Sequence, residues 1–291
     1  MDKMRRSALW NALALAVIAC CGELSSGRCV SAFYAQAGRW SWRGIGVSCI
    51  VYGFLMGGVI RLKRKTGACS LKSVYTGTFG RRASAAFMAL HAAFCALAAY
   101  ALMGKAAETA ALALPFHKAG CAGAVCALIF AVWMSRNGVS AMRKAGCALF
   151  AVLIAAMLAL MTSGELPGRN SLHFYVELGL ENNPGAVVLL AVIHGCMAAG
   201  LCAAAAVRLF PTHIRPGFAG LVCAAAFGML MMIGNGVFSV FPKEINALRY
   251  PFVALSAPWG TAGFYIFALL RCMESTFCLA GVFCMLPAKH K

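Results

Sequence analysis

The sequence predicts an all-α polytopic membrane protein of about eight transmembrane helices, in a single domain over residues 1–291. Three observations predict it. Apolar runs of about 20 residues, the length that crosses a bilayer as a helix, recur along the whole chain. Apolar residues make up 62% of the composition, against about 45–50% in soluble domains, and mean hydropathy is +0.80. Nearly all lysines and arginines fall in short segments between the runs, the pattern of topology signals and lipid headgroup contacts. That placement turns the net charge of +18 away from nucleic acid and toward the lipid bilayer as partner. Short strands of alternating polarity are missing from the sequence, which excludes a β-barrel.

The first run covers 7–37 and is interrupted at 22–27. There Cys20-Cys21-Gly22-Glu23-Leu24-Ser25-Ser26-Gly27-Arg28 puts two glycines, two serines and a carboxylate where a membrane helix should be most apolar. A carboxylate at bilayer depth costs about 2.5–3.5 kcal/mol on insertion scales, so it needs a polar partner or a water-filled cavity. Glycine weakens the helix, and serine can satisfy backbone groups freed by a break. Two readings fit: a discontinuous first helix lining a site, or a plain helix ending near Cys21 and followed by an external loop. The basic start (Lys3, Arg5, Arg6) resembles a signal peptide. With no small-x-small cleavage site before polar sequence, the segment is read as retained.

Helix 2 is expected at 44–60, followed by a basic loop at 61–82. Helix 3 is expected at 83–103, a short helix 4 at 119–134 and helix 5 at 145–162. A polar loop at 163–184 is read with a short interfacial helix at 172–180. Helix 6 is expected at 185–210 and helix 7 at 216–241. A proline-flanked loop at 242–258 includes a short helix at 244–255, and helix 8 covers 259–286. Eight spans put both ends on one side. With the N-terminus inside, 17 of the 26 basic residues lie inside and eight outside, which places both termini in the cytoplasm.

The fifteen cysteines lie mostly inside apolar runs, where cysteine acts as a small apolar residue. No Cys-x-x-Cys pair and no zinc spacing occur, so neither a disulfide framework, a metal nor another cofactor is expected.

Three ionisable side chains sit at membrane depth: Glu23, Arg271 and Glu274. Each is a functional candidate by position. Arg271 and Glu274 are spaced to pair on one helix face, which would also let them neutralise each other. Ser275 and Thr276 follow, and such hydroxyls more often bond a preceding carbonyl than a ligand. His91 and His194 are proton carriers or interhelical hydrogen-bonding groups. Asn235, between two glycines, marks a weak point or a polar contact. Gly195 and Gly200 let helix 6 bend or pack closely.

Glu23-Leu24-Ser25-Ser26-Gly27-Arg28, Phe33-Tyr34-Ala35-Gln36-Ala37-Gly38 and Trp40-Ser41-Trp42-Arg43-Gly44-Ile45 together resemble the start of the YkvI-like bacterial membrane proteins. These are distant relatives of the amino acid–polyamine–organocation transporters of LeuT fold. The similarity is strong over about 22–58 and weaker through helices 6–8, where Pro242-Lys243-Glu244-Ile245 and Ser275-Thr276 match the family's loop and hydroxyl pair. Glu23 stands where the family has glycine, and Cys29 where it has glutamate. The family has ten spans, so this chain lacks the last two but keeps helices 1, 3, 6 and 8, which form that fold's central site.

The resemblance implies a secondary transporter in a bacterial inner membrane. A small solute, an amino acid or amine, would sit against Gly22, Glu23, Ser25, Ser26 and Gly27, with His194 and Gly195 of helix 6. A coupling cation would use the Cys20 carbonyl region with Ser275 and Thr276. Alternatively, Glu23 carries a proton, or Arg271 beside Glu274 supplies a fixed charge. Na⁺ and H⁺ both stay open. The alternative is a non-transporting sensor or assembly subunit that keeps the fold, completed by a homodimer or partner subunit. No enzyme motif is present, so catalysis is not expected.

Overall fold

A computed structural model describes residues 2–163, 183–240 and 250–285. These residues are mostly helical, with no strand among them. The elements are α1 (Asp2–Ala19), α2 (Arg28–Phe33), a 3₁₀ turn (Ala35–Trp40), α3 (Ser41–Thr66), α4 (Leu71–Ala113), α5 (Ala119–Arg136) and α6 (Val139–Ser163). Then follow α7 (Pro184–Leu209), α8 (Pro216–Val240), α9 (Pro251–Leu255), a second 3₁₀ turn (Ala257–Trp259) and α10 (Gly260–Phe283).

Seven helical segments among the described residues are long and apolar enough to cross a membrane. The sequence predicts eight spans. The difference is the first, which is split into α1, α2 and a 3₁₀ turn. Its longest piece has 18 residues and opens on Asp2, Lys3, Arg5 and Arg6, too many charges for a span of its own.

α1 is the axis of the bundle. It packs on α6, α7, α8 and α10, and every residue from Ala14 to Cys20 is fully buried. Alanine allows this close approach, as small residues do in membrane helix packing. Its carbonyls also take buried thiols: Cys202 Sγ donates to Leu15 O at 3.2 Å and Cys20 Sγ to Ala16 O at 3.1 Å. All fifteen cysteines are free. Around this axis α3 packs between α7 and α8, while α4 packs on α5 and α10.

The basic loop expected at 61–82 is instead helical at both ends. α3 continues to Thr66 and stops at Gly67, a left-handed C-cap (φ 62°), as glycine does at helix ends. Ser70 then starts α4 with a capping box to Ser73. Gly80 (φ 76°) breaks the helical backbone inside α4, setting 71–79 apart from the span. α4 also runs ten residues past the expected end at 103. α6 begins at Val139, earlier than expected, just after Gly138 (φ 91°). The interfacial helix read at 172–180 lies outside the described residues, as does the first part of the helix read at 244–255. Pro251–Leu255 of the latter forms α9.

Lys63 is the exception in the basic stretch. It is 6% exposed, and its ammonium donates to Val207 O at 2.5 Å and to Phe210 O. It therefore caps the carbonyl end of α7, where a cation is favoured. Lys63→Met keeps the volume but strands two carbonyls, and should lower stability by about 1–3 kcal/mol. Thermal unfolding in detergent measures it.

Candidate functional site

The site is the gap between α1 and α2. The last turn of α1 tightens: Cys20 N donates to Val17 O and Cys21 N to Ile18 O. The chain then turns left-handed at Cys21 (φ 58°) and Gly22 (φ 69°), and again at Gly27 (φ 79°) before α2. A left-handed non-glycine residue stores strain that the surroundings must hold. Gly22 is required twice over, since a Cβ there would lie 2.8 Å from Leu102 Cδ2 and 3.0 Å from Ser275 Oγ. α9 closes the break from one side: Phe252 N donates to Ser26 O at 3.1 Å.

The two ends of the break take opposite charges. On the carbonyl side, Lys105 of α4 donates to Cys21 O at 2.8 Å and pairs with Glu23 Oε1 at 3.0 Å. Ser26 Oγ donates within the same turn, to Glu23 O and Glu23 Oε2, each at 2.8 Å. On the amide side, Glu274 of α10 accepts from Leu24 N at 3.0 Å, Ser25 N at 2.9 Å and Ser25 Oγ at 2.6 Å. Glu274 is fully buried, and these three donors are all uncharged. A cation at the carbonyl end of α1 matches the partial charge of that helix terminus, while Glu274 is held by amides of the turn that precedes α2.

The pair expected between Arg271 and Glu274 does not form. Arg271 Nη2 bonds Glu108 Oε2 on α4 at 3.1 Å, and its guanidinium lies 4.5 Å from the Tyr250 ring centre. α10 packs against both the break and α4, and the two side chains turn to different neighbours, Glu274 to the break and Arg271 to α4. Lys105 and Glu108 thus hold the break and α10 from one helix, three residues apart. Both lie past 103, where helix 3 is expected to end, in the stretch that the basic-residue count puts outside. Their opposite charges one turn past an apolar run were the available signal.

The other expected residues divide. Ser25, Ser26, Glu23 and Gly22 form the break itself, and Gly27 caps its far end. Ser275 faces Gly22, its hydroxyl buried and without a partner among the described residues. Thr276 does not join it: Oγ1 donates to Cys272 O at 2.7 Å, on its own helix. Thr276→Ala should therefore leave melting temperature and ligand binding within error of wild type, in a side-by-side thermal scan. The Cys20 thiol likewise serves its own helix, and Cys20 O is taken by Glu23 N at 3.2 Å.

His194 lies one turn further along. Its Nδ1 is 2.5 Å from Tyr34 Oη and its Nε2 is 3.5 Å from Cys29 Sγ. Its ring stacks on Phe33 at 4.3 Å. It reaches α2 rather than Glu23, so α7 touches the site through Cys29. Gly195 is a packing residue: a Cβ there would lie 2.8 Å from Ser48 O of α3. No group of three metal-ligating side chains occurs among the described residues.

The fold and the site together define a polytopic helical membrane protein with a charge-filled break in its buried first helix. No family model and no curated protein matches the chain.

Proposed function

We propose that this protein is a proton-coupled secondary transporter of a small zwitterionic or cationic organic solute, an amino acid or an amine. The observation that carries the reading is Glu274 on the amide groups of Leu24 and Ser25. Half-helix ends at mid-membrane are where such transporters hold a solute's charged groups. Here a carboxylate of the chain itself takes the amides of the turn between the two half-helices. On protonation Glu274 becomes a weaker acceptor, and those donors become free for a solute carboxylate. Glu23, once it leaves Lys105, offers a carboxylate to an ammonium group. A proton is favoured over Na⁺ because the hydroxyl pair expected at the coupling-cation site diverges, with Thr276 bonded to its own helix.

The LeuT-like arrangement and the YkvI-like relationship belong to this proposal. The meeting of α1, α4, α7 and α10 around the break supports them, since these correspond to helices 1, 3, 6 and 8. The unbroken α7 departs from that pattern, which has a second discontinuous helix. A bacterial inner-membrane location with both termini cytoplasmic completes the reading, supported by the distribution of basic residues.

The test is a thermal-stability screen of the purified protein against amino acids and amines, at pH 5.5 and 7.5, in Na⁺ and in K⁺. A ligand of the native state raises the melting temperature by mass action. The expected result is a solute-dependent rise that is larger at pH 5.5, indifferent to Na⁺, and absent in Glu23→Gln. A folded protein with no shift from any solute overturns transport and favours the assembly subunit.

A further inference from the structure

Far from the break, a groove of about 1040 Å³ lies between α3 and α8. Its floor is made where the helices meet without side chains. A Cβ on Gly53 would lie 2.9 Å from Gly220 O, and one on Gly57 would lie 3.3 Å from Pro216 O. Its walls are Ile50, Phe54 and Leu221, exposed by 71%, 81% and 67%. At one end stand Arg61, Arg64 and Lys65, all exposed. The i, i+3, i+4 spacing from Ile50 to Lys65 keeps the apolar walls and the cations on one face of α3.

The dimensions and charges select an occupant. Ile50 to Arg61 spans about 16 Å of helix rise, close to half of the ~30 Å hydrocarbon core. No carboxylate among the described residues lines the groove. Lys63, between the cations in sequence, is turned inward onto α7 and takes no part. We propose that the groove binds an anionic glycerophospholipid. Its phosphate rests on Arg61, Arg64 and Lys65, and one acyl chain lies along the glycine floor toward the bilayer centre. Arginine suits this role because its planar donors fit phosphate oxygens. A helix from a second copy fits less well. The Gly53 and Gly57 spacing that would dock one is already used against α8, and the topology read from the sequence leaves Asp2 as the one carboxylate on that side. The site is independent of transport through the break.

The experiment is native mass spectrometry of the purified chain with phosphatidylglycerol and phosphatidylcholine of identical acyl chains. Wild type should retain one phosphatidylglycerol in preference to phosphatidylcholine, and millimolar inorganic phosphate should not displace it. The triple change Arg61→Ala, Arg64→Ala, Lys65→Ala should cut that preference at least about tenfold. Gly58→Leu should remove retention of both lipids, since its side chain enters open groove without disturbing packing. Gly217→Leu fills the groove from α8, also from open space, and serves if the first variant misfolds. Unchanged phosphatidylglycerol retention in folded groove-filled and charge-deleted variants overturns the site. So does displacement by phosphate alone. A loss of dimer in Gly58→Leu with lipid retention intact would make the groove a protein interface instead.

Discussion

Replacing Glu274 by glutamine is expected to abolish proton-driven uptake and to flatten the pH dependence of solute binding. The side chain keeps its size, but one of its two acceptor oxygens becomes an amide group that donates. Leu24 N–H, Ser25 N–H and Ser25 O–H all point at this carboxylate, so the amide meets a donor wherever it turns. At least one buried donor is then left unmade. Hydrogen bonds to a charged acceptor contribute about 1.5–3 kcal/mol each, so the break should lose about 2–4 kcal/mol. For a chain of this size that is a fall of several degrees in melting temperature. The sign of the pH effect follows from the same contacts. Wild type should bind solute more tightly as pH falls, because a protonated Glu274 releases the amides. Glu274→Gln should bind equally at pH 5.5 and 7.5. If the variant still takes up solute down a proton gradient, Glu274 is not the coupling group.

The second large effect is expected at Lys105 and Glu23. Their side chains are 19% and 18% exposed, which places the pair between a screened surface bridge and a buried one. Removing one partner should cost about 1–3 kcal/mol on that scale. Lys105→Met loses more than the ion pair, because Cys21 O also loses its donor. Glu23→Gln keeps the Ser26 contact through its remaining oxygen. The double variant should be more stable than the sum of the single losses predicts, since each single change leaves a lone charge. A double-mutant cycle by thermal unfolding measures the coupling. A coupling near zero would mean that the ion pair does not hold the break closed.

Much of this architecture was legible in the sequence. Long apolar runs mark membrane helices because the bilayer sets their length. The break showed through Gly22, Glu23 and Gly27, residue types that a continuous buried helix does not tolerate together. Partners were harder to read, because they come from far along the chain. Nothing near Glu274 announces that it will cross to Leu24 and Ser25, and its spacing from Arg271 pointed to a local pair that does not form. Lys105 and Glu108 were misplaced for a different reason. Hydropathy falls after Met103, but the residues that follow are good helix formers, largely alanine, so α4 continues and carries both charges back to the site. The 61–82 region was misread because its charge outweighed its caps, although Gly67 and Ser70 are ordinary stop and start residues.

The link from Leu24 and Ser25 to Glu274 joins residues about 250 positions apart. It sets an order of assembly. As the chain emerges, the first helix carries its gap, its strained Cys21 and its carboxylate at Glu23 before any partner for them has been made. Lys105 arrives with the fourth helix and neutralises one end. The amide end stays open until α10 is synthesised, when Glu274 closes it. The break near residue 24 is therefore completed only once α10, about 250 positions later, is in place. Sequence changes that weaken α10 should register as lost yield in the membrane before they register as lost activity.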